Sequence, residues 1–266
     1  MEYFSIGSGS SGNCAYIGSK NTGLLLDAGV SGKRVKESLE AYSIDIENIN
    51  GILITHEHRD HISSLGVLAR KYKIHVYATC KTIRQLSNNS CLGEIDKGLF
   101  VPIGQSDEFN IGDISIESFP IPHDAAEPVA YKFKNNRKCL GIVTDIGSFD
   151  DNIINLMSGL DAVVLEANHD VRMLETGVYP YQLKRRIAGD LGHLSNEDCG
   201  RLLSRILHDN LKWIVLAHLS AENNYDKLAL ESVYLEITIA DNKYRAKDFP
   251  IYIAPRKCAG DMLYIL

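Results

Sequence analysis

The chain has 266 residues, 45% of them hydrophobic and 23% charged, a globular balance that can bury a core without disulfides. No apolar run approaches the roughly 18 residues of a membrane span. The start, MEYFSIGSGSSGN, lacks the basic and apolar regions of a signal peptide, so a soluble cytoplasmic protein is expected. The formal charge of −6, from 28 Lys+Arg against 34 Asp+Glu, argues against a surface coated with basic residues for nucleic acid.

Short apolar runs bounded by Gly, Asn and Asp predict strands over 2–6, 15–17, 23–27, 51–55, 75–78, 111–120, 129–134, 139–144, 162–166, 212–217 and 251–254. Helical spacing predicts helices over 32–41, 61–71, 81–87, 152–158, 181–188, 196–208 and 227–240. The clearest is 196–208. Ser195 and Asp198 form a capping-box-like start, and Leu202, Leu203, Ile206 and Leu207 fall on one face. Strand clusters give way to strand–helix alternation, and the pattern then repeats. With no Pro- or Ser-rich linker, this reads as one domain over 1–266 made of two similar αβ halves.

The six cysteines form no CxxC and no zinc-finger spacing, which fits reduced, mostly buried thiols. The nine histidines are more telling. The segment GILITHEHRDHISSL runs from a buried strand directly into His56, Glu57, His58, Arg59, Asp60 and His61. Alternate side chains of an extended segment face the same way, so His56 and His58 converge. Asp60 and His61 follow at a turn into a helix and can serve a second point. Imidazole with carboxylate suits Zn²⁺, Mn²⁺ or Fe rather than Ca²⁺ or Mg²⁺. Paired ions in hydrolytic sites lie about 3.5–4 Å apart.

THEHRDH resembles the HxHxDH signature of the metallo-β-lactamase-fold hydrolases. The resemblance continues in LLLDAG (Asp27), FPIPHDAAEP (His123), LGIVTDIG (Asp145) and WIVLAHLS (His218), in the family's order from Met1 to about Asn224. It implies an α/β fold, the αββα four-layer sandwich with its metal site along one edge of two sheets. At finer scale SGSSGNC, LLLDAG, HEHRDH, HDAAEPVAY, LEANHD, GHLSN and LAHLS are similar to the bacterial YycJ/WalJ family. That likeness implies a 5′→3′ exonuclease acting on double-stranded DNA, using a metal-bridging hydroxide.

By the same resemblance, His56, His58 and His123 would hold one divalent ion and Asp60, His61 and His218 a second. Asp145 would bridge them, with His193 and His169 competing for the place of His218. Asp60 would also orient the attacking water. Asp27 would support a ligand histidine from behind, with a strand-end turn as its ordinary alternative. SIGSGSSGNC lacks the GK[ST] ending of a phosphate loop. It reads as a tight hairpin whose hydroxyls and Asn13 line the metal site.

His193, just before the helix capped by Ser195, is the candidate for protonating the leaving oxygen. Glu166 and His193 resemble the Glu–His couple of RNase Z, in which Glu orients His. His169 is a candidate substrate contact or a structural loop residue. His75 and His208 read as structural. Lys184, Arg185 and Arg186 lie seven to nine residues before His193, and Tyr179 and Tyr181 beside them could stack on bases. A plain solvated face is the alternative for that run. The 73 residues from Asp145 to His218 are filled with predicted elements and leave no room for a large inserted domain.

The expectation is a compact dinuclear-metal phosphodiesterase whose partner is nucleic acid, double-stranded DNA first, with no membrane. A thioester or lactone hydrolase of the same fold is the alternative. A non-catalytic scaffold fits poorly, because buried ligands without metal are costly. Two of the counted negative charges are proposed ligands, and two divalent ions would outweigh them. DNA binding should therefore be local, metal-dependent and salt-sensitive.

Overall fold

The computed structural model describes residues 1–266. Fourteen strands form two mixed seven-stranded sheets with flanking helices. The chain divides into two units. One comprises Met1–Pro120, Ala125–Lys138 and Pro255–Leu266, the other Ile121–Asp124 and Cys139–Ala254.

In the first unit, β1 (Glu2–Gly7), β2 (Cys14–Gly18) and β3 (Gly23–Leu26) pair antiparallel in chain order. The order continues in parallel through β4 (Ile49–Leu53), β5 (Val76–Thr79) and β6 (Phe100–Ile103). Crossovers supply α1 (Gly32–Glu40), α2 (Arg59–Ile62), α3 (Leu65–Tyr72) and α4 (Cys80–Asn88). Helix α1 starts where the Ser31 side chain accepts a hydrogen bond from Arg34 N, and it buries Val35 and Leu39, one turn apart. These residues join Phe4, Ile6, Leu25, Ile52 and Leu68 in one apolar cluster, with every one at 5% exposure or less. Strands β7 (Glu108–Ile111), β8 (Ile114–Pro120) and β9 (Val129–Asn135) form an antiparallel meander.

The second unit is built on parallel strands β10 (Lys138–Val143), β11 (Ala162–Glu166), β12 (Trp213–Ala217) and β13 (Ile251–Ile253). Its helices are α5 (Asp151–Met157), α6 (Val171–Thr176), α7 (Tyr181–Ile187), α8 (Asn196–Ile206) and α9 (Asp226–Ile239). Strands β11 and β12 are buried along their whole length, as expected of parallel strands covered on both faces. The chain then returns to the first unit, where β14 (Leu263–Tyr264) pairs antiparallel with β1.

The structure departs from the sequence expectations in a few places. The strand expected over 111–120 is a hairpin, β7 and β8, because Gly112 turns the chain at φ +56°. The helix expected over 61–71 is two helices, α2 and α3, separated at Ser63 and Ser64. Strands β6 and β14 and helix α6 were not expected. All three are short, and β6 carries Pro102, which weakens its strand signature.

Candidate metal and active site

In both units the site residues sit where parallel strands end, the place at which open α/β sheets present their ligands. In the first unit β3 is followed by Asp27, and β4, after Ile54, by Thr55 and His56. In the second, β10 is followed by Asp145, β11 ends on Glu166 and β12 is followed by His218. Asp27, Asp145 and His218 each adopt left-handed φ, at +60°, +59° and +56°. That conformation costs a non-glycine residue roughly 1–2 kcal/mol, and Asp and His are among those that tolerate it best. In each unit, strain at a strand end marks a residue held for its chemistry.

In the first unit, Asp27 is 3% exposed and holds the HEHRDH segment from behind. Its Oδ1 accepts from Thr55 N at 2.9 Å, and its Oδ2 lies 2.8 Å from His61 Nδ1. The Thr55 hydroxyl lies 3.1 Å from Asp27 Oδ1 and 3.0 Å from Oδ2. The same hydroxyl is 3.0 Å from His56 Nδ1. With both Nδ1 atoms occupied as donors, Nε2 carries the lone pair on His56 and on His61, the tautomer a metal ligand needs. The His56 ring lies 4.5 Å from that of His58 and 4.2 Å from that of His61, centroid to centroid. Burial raises the Asp27 pKa, while His61 and Thr55 pull it down; the balance is upward.

Asn13 closes this half. Its Oδ1 accepts from Gly9 N at 2.7 Å. Its amide nitrogen donates to Asp60 Oδ2 at 3.1 Å and lies 3.0 Å from His61 Nε2. The lone pairs of these two atoms thus converge on a single donor, which is the arrangement a cation requires. Gly29 permits the approach, since a Cβ there would land on the Asp60 carbonyl.

In the second unit, ligand-type atoms of Asp145, Glu166, His193 and His218 all lie within 4.8 Å of one another. Glu166 is fully buried, and its Oε1 is 2.9 Å from His193 Nδ1 and 2.6 Å from His218 Nδ1. Its Oε2 accepts from Ile146 N at 2.9 Å and Leu194 N at 3.3 Å. Burial raises the Glu166 pKa, but His193 and His218 outweigh it, and the carboxyl stays ionised. Burial lowers the His193 pKa, yet Glu166 and Asp145 more than reverse this, so His193 holds its proton more strongly than a free histidine. Asp145 Oδ1 stands 3.5 Å from His218 Nδ1, 3.7 Å from His193 Nδ1 and 3.9 Å from His123 Nε2. His123 Nδ1 donates to the Gly192 carbonyl at 3.1 Å, which again leaves Nε2 as the lone-pair nitrogen. In each unit the donor set is imidazole and carboxylate, buried or half-buried and oriented by hydrogen bonds behind it, and fits divalent transition ions.

Of the residues competing with His218, His193 shares Glu166 with it, while His169 lies outside the group. His169 is 2% exposed, and burial draws its pKa down to about 4, so the ring is neutral. The basic run divides. Arg186 grips Asp124 through both Nε and Nη2, and Lys184 Nζ donates to the Glu175 carbonyl at 2.7 Å. Arg185 makes no ion pair and lies over the exposed Tyr181 ring.

Sequence reasoning missed the residues that hold the site together. Thr55 is one, and Asn168 is another. Asn168 Nδ2 donates to the His218 carbonyl at 2.9 Å and steadies its left-handed backbone. Buried Asn224 donates to the Ala167 carbonyl and to Asn196 Oδ1. A polar residue directly after an apolar strand, as in LITH, was the available signal for Thr55.

Residues 22–214 match the β-lactamase superfamily domain. The chain is 44% identical to exodeoxyribonuclease YycJ of Bacillus anthracis over 88% of each chain. It is 42% identical to exodeoxyribonuclease WalJ of Streptococcus pneumoniae serotype 2, strain D39, over 95% of this chain and 93% of that protein. Zn(2+)-bound PqqB from Methylobacterium extorquens shares the fold, with a TM-score of 0.75 over 100% of both chains at 16% identity. Fold and matches together define a hydrolase of the metallo-β-lactamase superfamily, an αββα sandwich of two mixed sheets. More narrowly, the chain belongs to the YycJ/WalJ family.

Proposed function

We propose that this protein is a metal-dependent nuclease, and in finer form a 5′→3′ exonuclease acting on double-stranded DNA. The observation that carries the reading is the Glu166–His193 pair beside Asp145. Its imidazole, whose pKa the carboxylates raise, is 17% exposed at the side chain and braced by a buried carboxylate. Such a group serves a leaving alkoxide, which must be protonated. A thioester hydrolase, whose thiolate leaves without a proton, has no such need. Relatives named exodeoxyribonucleases supply the substrate class.

By the family resemblance, His56, His58 and His123 would hold one ion, Asp60, His61 and His218 the second, and Asp145 would serve both. Two divalent ions there, Zn²⁺, Mn²⁺ or Fe, would activate a water near neutral pH and neutralise phosphate charge. Asp60 orients that water. Asp27, through His61, and Asn13, through Asp60, fix the ligand directions. His193 donates its proton to the departing oxygen, and Glu166 stabilises the imidazolium before transfer. Of the basic run, Arg185 contacts the phosphate backbone directly. Lys184 steadies the segment, and Arg186 ties it to the residue after His123. His169, neutral and buried, accepts from Asn196 N through its backbone at the start of α8 rather than meeting solvent-borne substrate. Six free cysteines suit a reducing, cytoplasmic setting.

The test is cleavage of blunt duplex DNA labelled at the 5′ or the 3′ end by metal-loaded protein, beside a thioester and a lactone. Release of the 5′ label as mononucleotide, with a shortening ladder from the 3′ label, is expected. The reverse pattern overturns the polarity. Turnover of only the thioester or lactone overturns the nuclease reading.

A further inference from the structure

Helix α7 buries none of its side chains. Val178, Tyr181 and Leu191, along and beside it, are 89%, 73% and 54% exposed. Single exposed apolar residues are ordinary, but these lie on a segment fastened to the candidate site at its far end. Asp124 N donates to the Leu191 carbonyl, His123 Nδ1 to Gly192 and His193 N to Ile187. The Arg186–Asp124 pair adds a charged clasp. The segment is thus anchored beside His123 and His193 while Tyr181 and Arg185 stay exposed. The Arg185 guanidinium stands 5.9 Å from the Tyr181 ring centroid and makes no ion pair, which leaves a cation and an aromatic face together.

We propose that α7 is a strand-end platform on which the Tyr181 ring stacks against the terminal base of the bound DNA while Arg185 pairs with its phosphate. The inference rests on the nuclease reading above and assigns the surface that receives the substrate end. Charge favours this occupant: in the last turn of α7, Arg186 is paired with Asp124, but Lys184 and Arg185 face no carboxylate, and base stacking on an exposed aromatic is indifferent to sequence. Because Tyr181 is exposed, replacing it leaves the core intact.

The experiment uses the full chain and a blunt duplex with 2-aminopurine at its 5′ terminus. Binding should quench the probe with wild type and with Tyr181→Trp, and not with Tyr181→Ala. In steady state Tyr181→Ala should raise KM about tenfold and lower kcat less, with Tyr181→Phe restoring KM. Wild-type KM and quenching in Tyr181→Ala overturn the platform. So does a concentration-dependent dimer that Tyr181→Ala dissociates, which assigns the face to a second copy of the chain. A wild-type enzyme that degrades no DNA overturns the nuclease reading itself, a result separable from the other two.

Discussion

Thr55 is the residue on which the first half of the site turns, since one hydroxyl meets Asp27, His56 and His61. Thr55→Val keeps the shape and removes the hydroxyl. His56 Nδ1 then loses its acceptor, and metal affinity should fall about 10–100-fold, as read by competition with a chelating dye; unchanged affinity would refute the role. His193 calls for a different comparison. His193→Ala should slow cleavage of an alkoxide-leaving phosphodiester by about 10²–10⁴-fold. A nitrophenyl diester, whose leaving group needs no proton, should be hydrolysed at close to the original rate. Equal losses on both substrates, or loss of metal, would make His193 a ligand instead. The clustering of His56, His58 and His61 was legible because they occupy six consecutive residues after an apolar strand. Thr55, Asn168 and Asn224 were not, because their partners lie up to 57 residues away and leave no local pattern.

Elements were legible where one face is apolar and the ends are capped. Helix α8, with the Ser195 hydroxyl accepting from Asp198 N at 3.0 Å, is the clearest case, and β11 matches its expected bounds. Short edge elements such as β14, two residues long, carry too few positions for periodicity to register. Strand β8 shows what alternation does settle. Its burial alternates, and its half-exposed Glu117 faces Lys132 at 2.7 Å and Lys134 at 3.0 Å on β9. Burial raises the Glu117 pKa, but the two lysines outweigh it and hold the carboxyl below its usual value. A depressed folded-state pKa contributes stability above the unfolded pKa and loses it as pH falls through the folded one. Glu117→Gln should therefore cost about 1 kcal/mol at pH 7. The two proteins should converge in urea unfolding at strongly acidic pH; a gap that persists there would contradict the assignment.

At the scale of the whole molecule, a chain of net charge −6 collects the buried carboxylates Asp27, Asp145 and Glu166 at strand ends. Ions bound there would stabilise the folded state over the unfolded chain. At a hundredfold excess over Kd the gain is about 2.7 kcal/mol, or roughly 5–10 °C in Tm. Chelation should lower the calorimetric Tm by that amount and Mn²⁺ or Zn²⁺ should restore it; an unmoved Tm would argue against resident ions. The reading of 1–266 as one domain predicts a single transition in the same scan.

The left-handed backbone of Asp27, Asp145 and His218 has a consequence for laboratory evolution. Glycine at any of the three would release roughly 1 kcal/mol of strain. It would also delete the side chain for which the strain is tolerated. The buried partners left unpaired, Thr55 N and His61 Nδ1 at Asp27 for example, cost about 1–3 kcal/mol each and outweigh that relief, so a library selected for heat resistance should keep these residues despite their strain. Positions 27, 145 and 218 are the ones to hold fixed when the protein is made more robust.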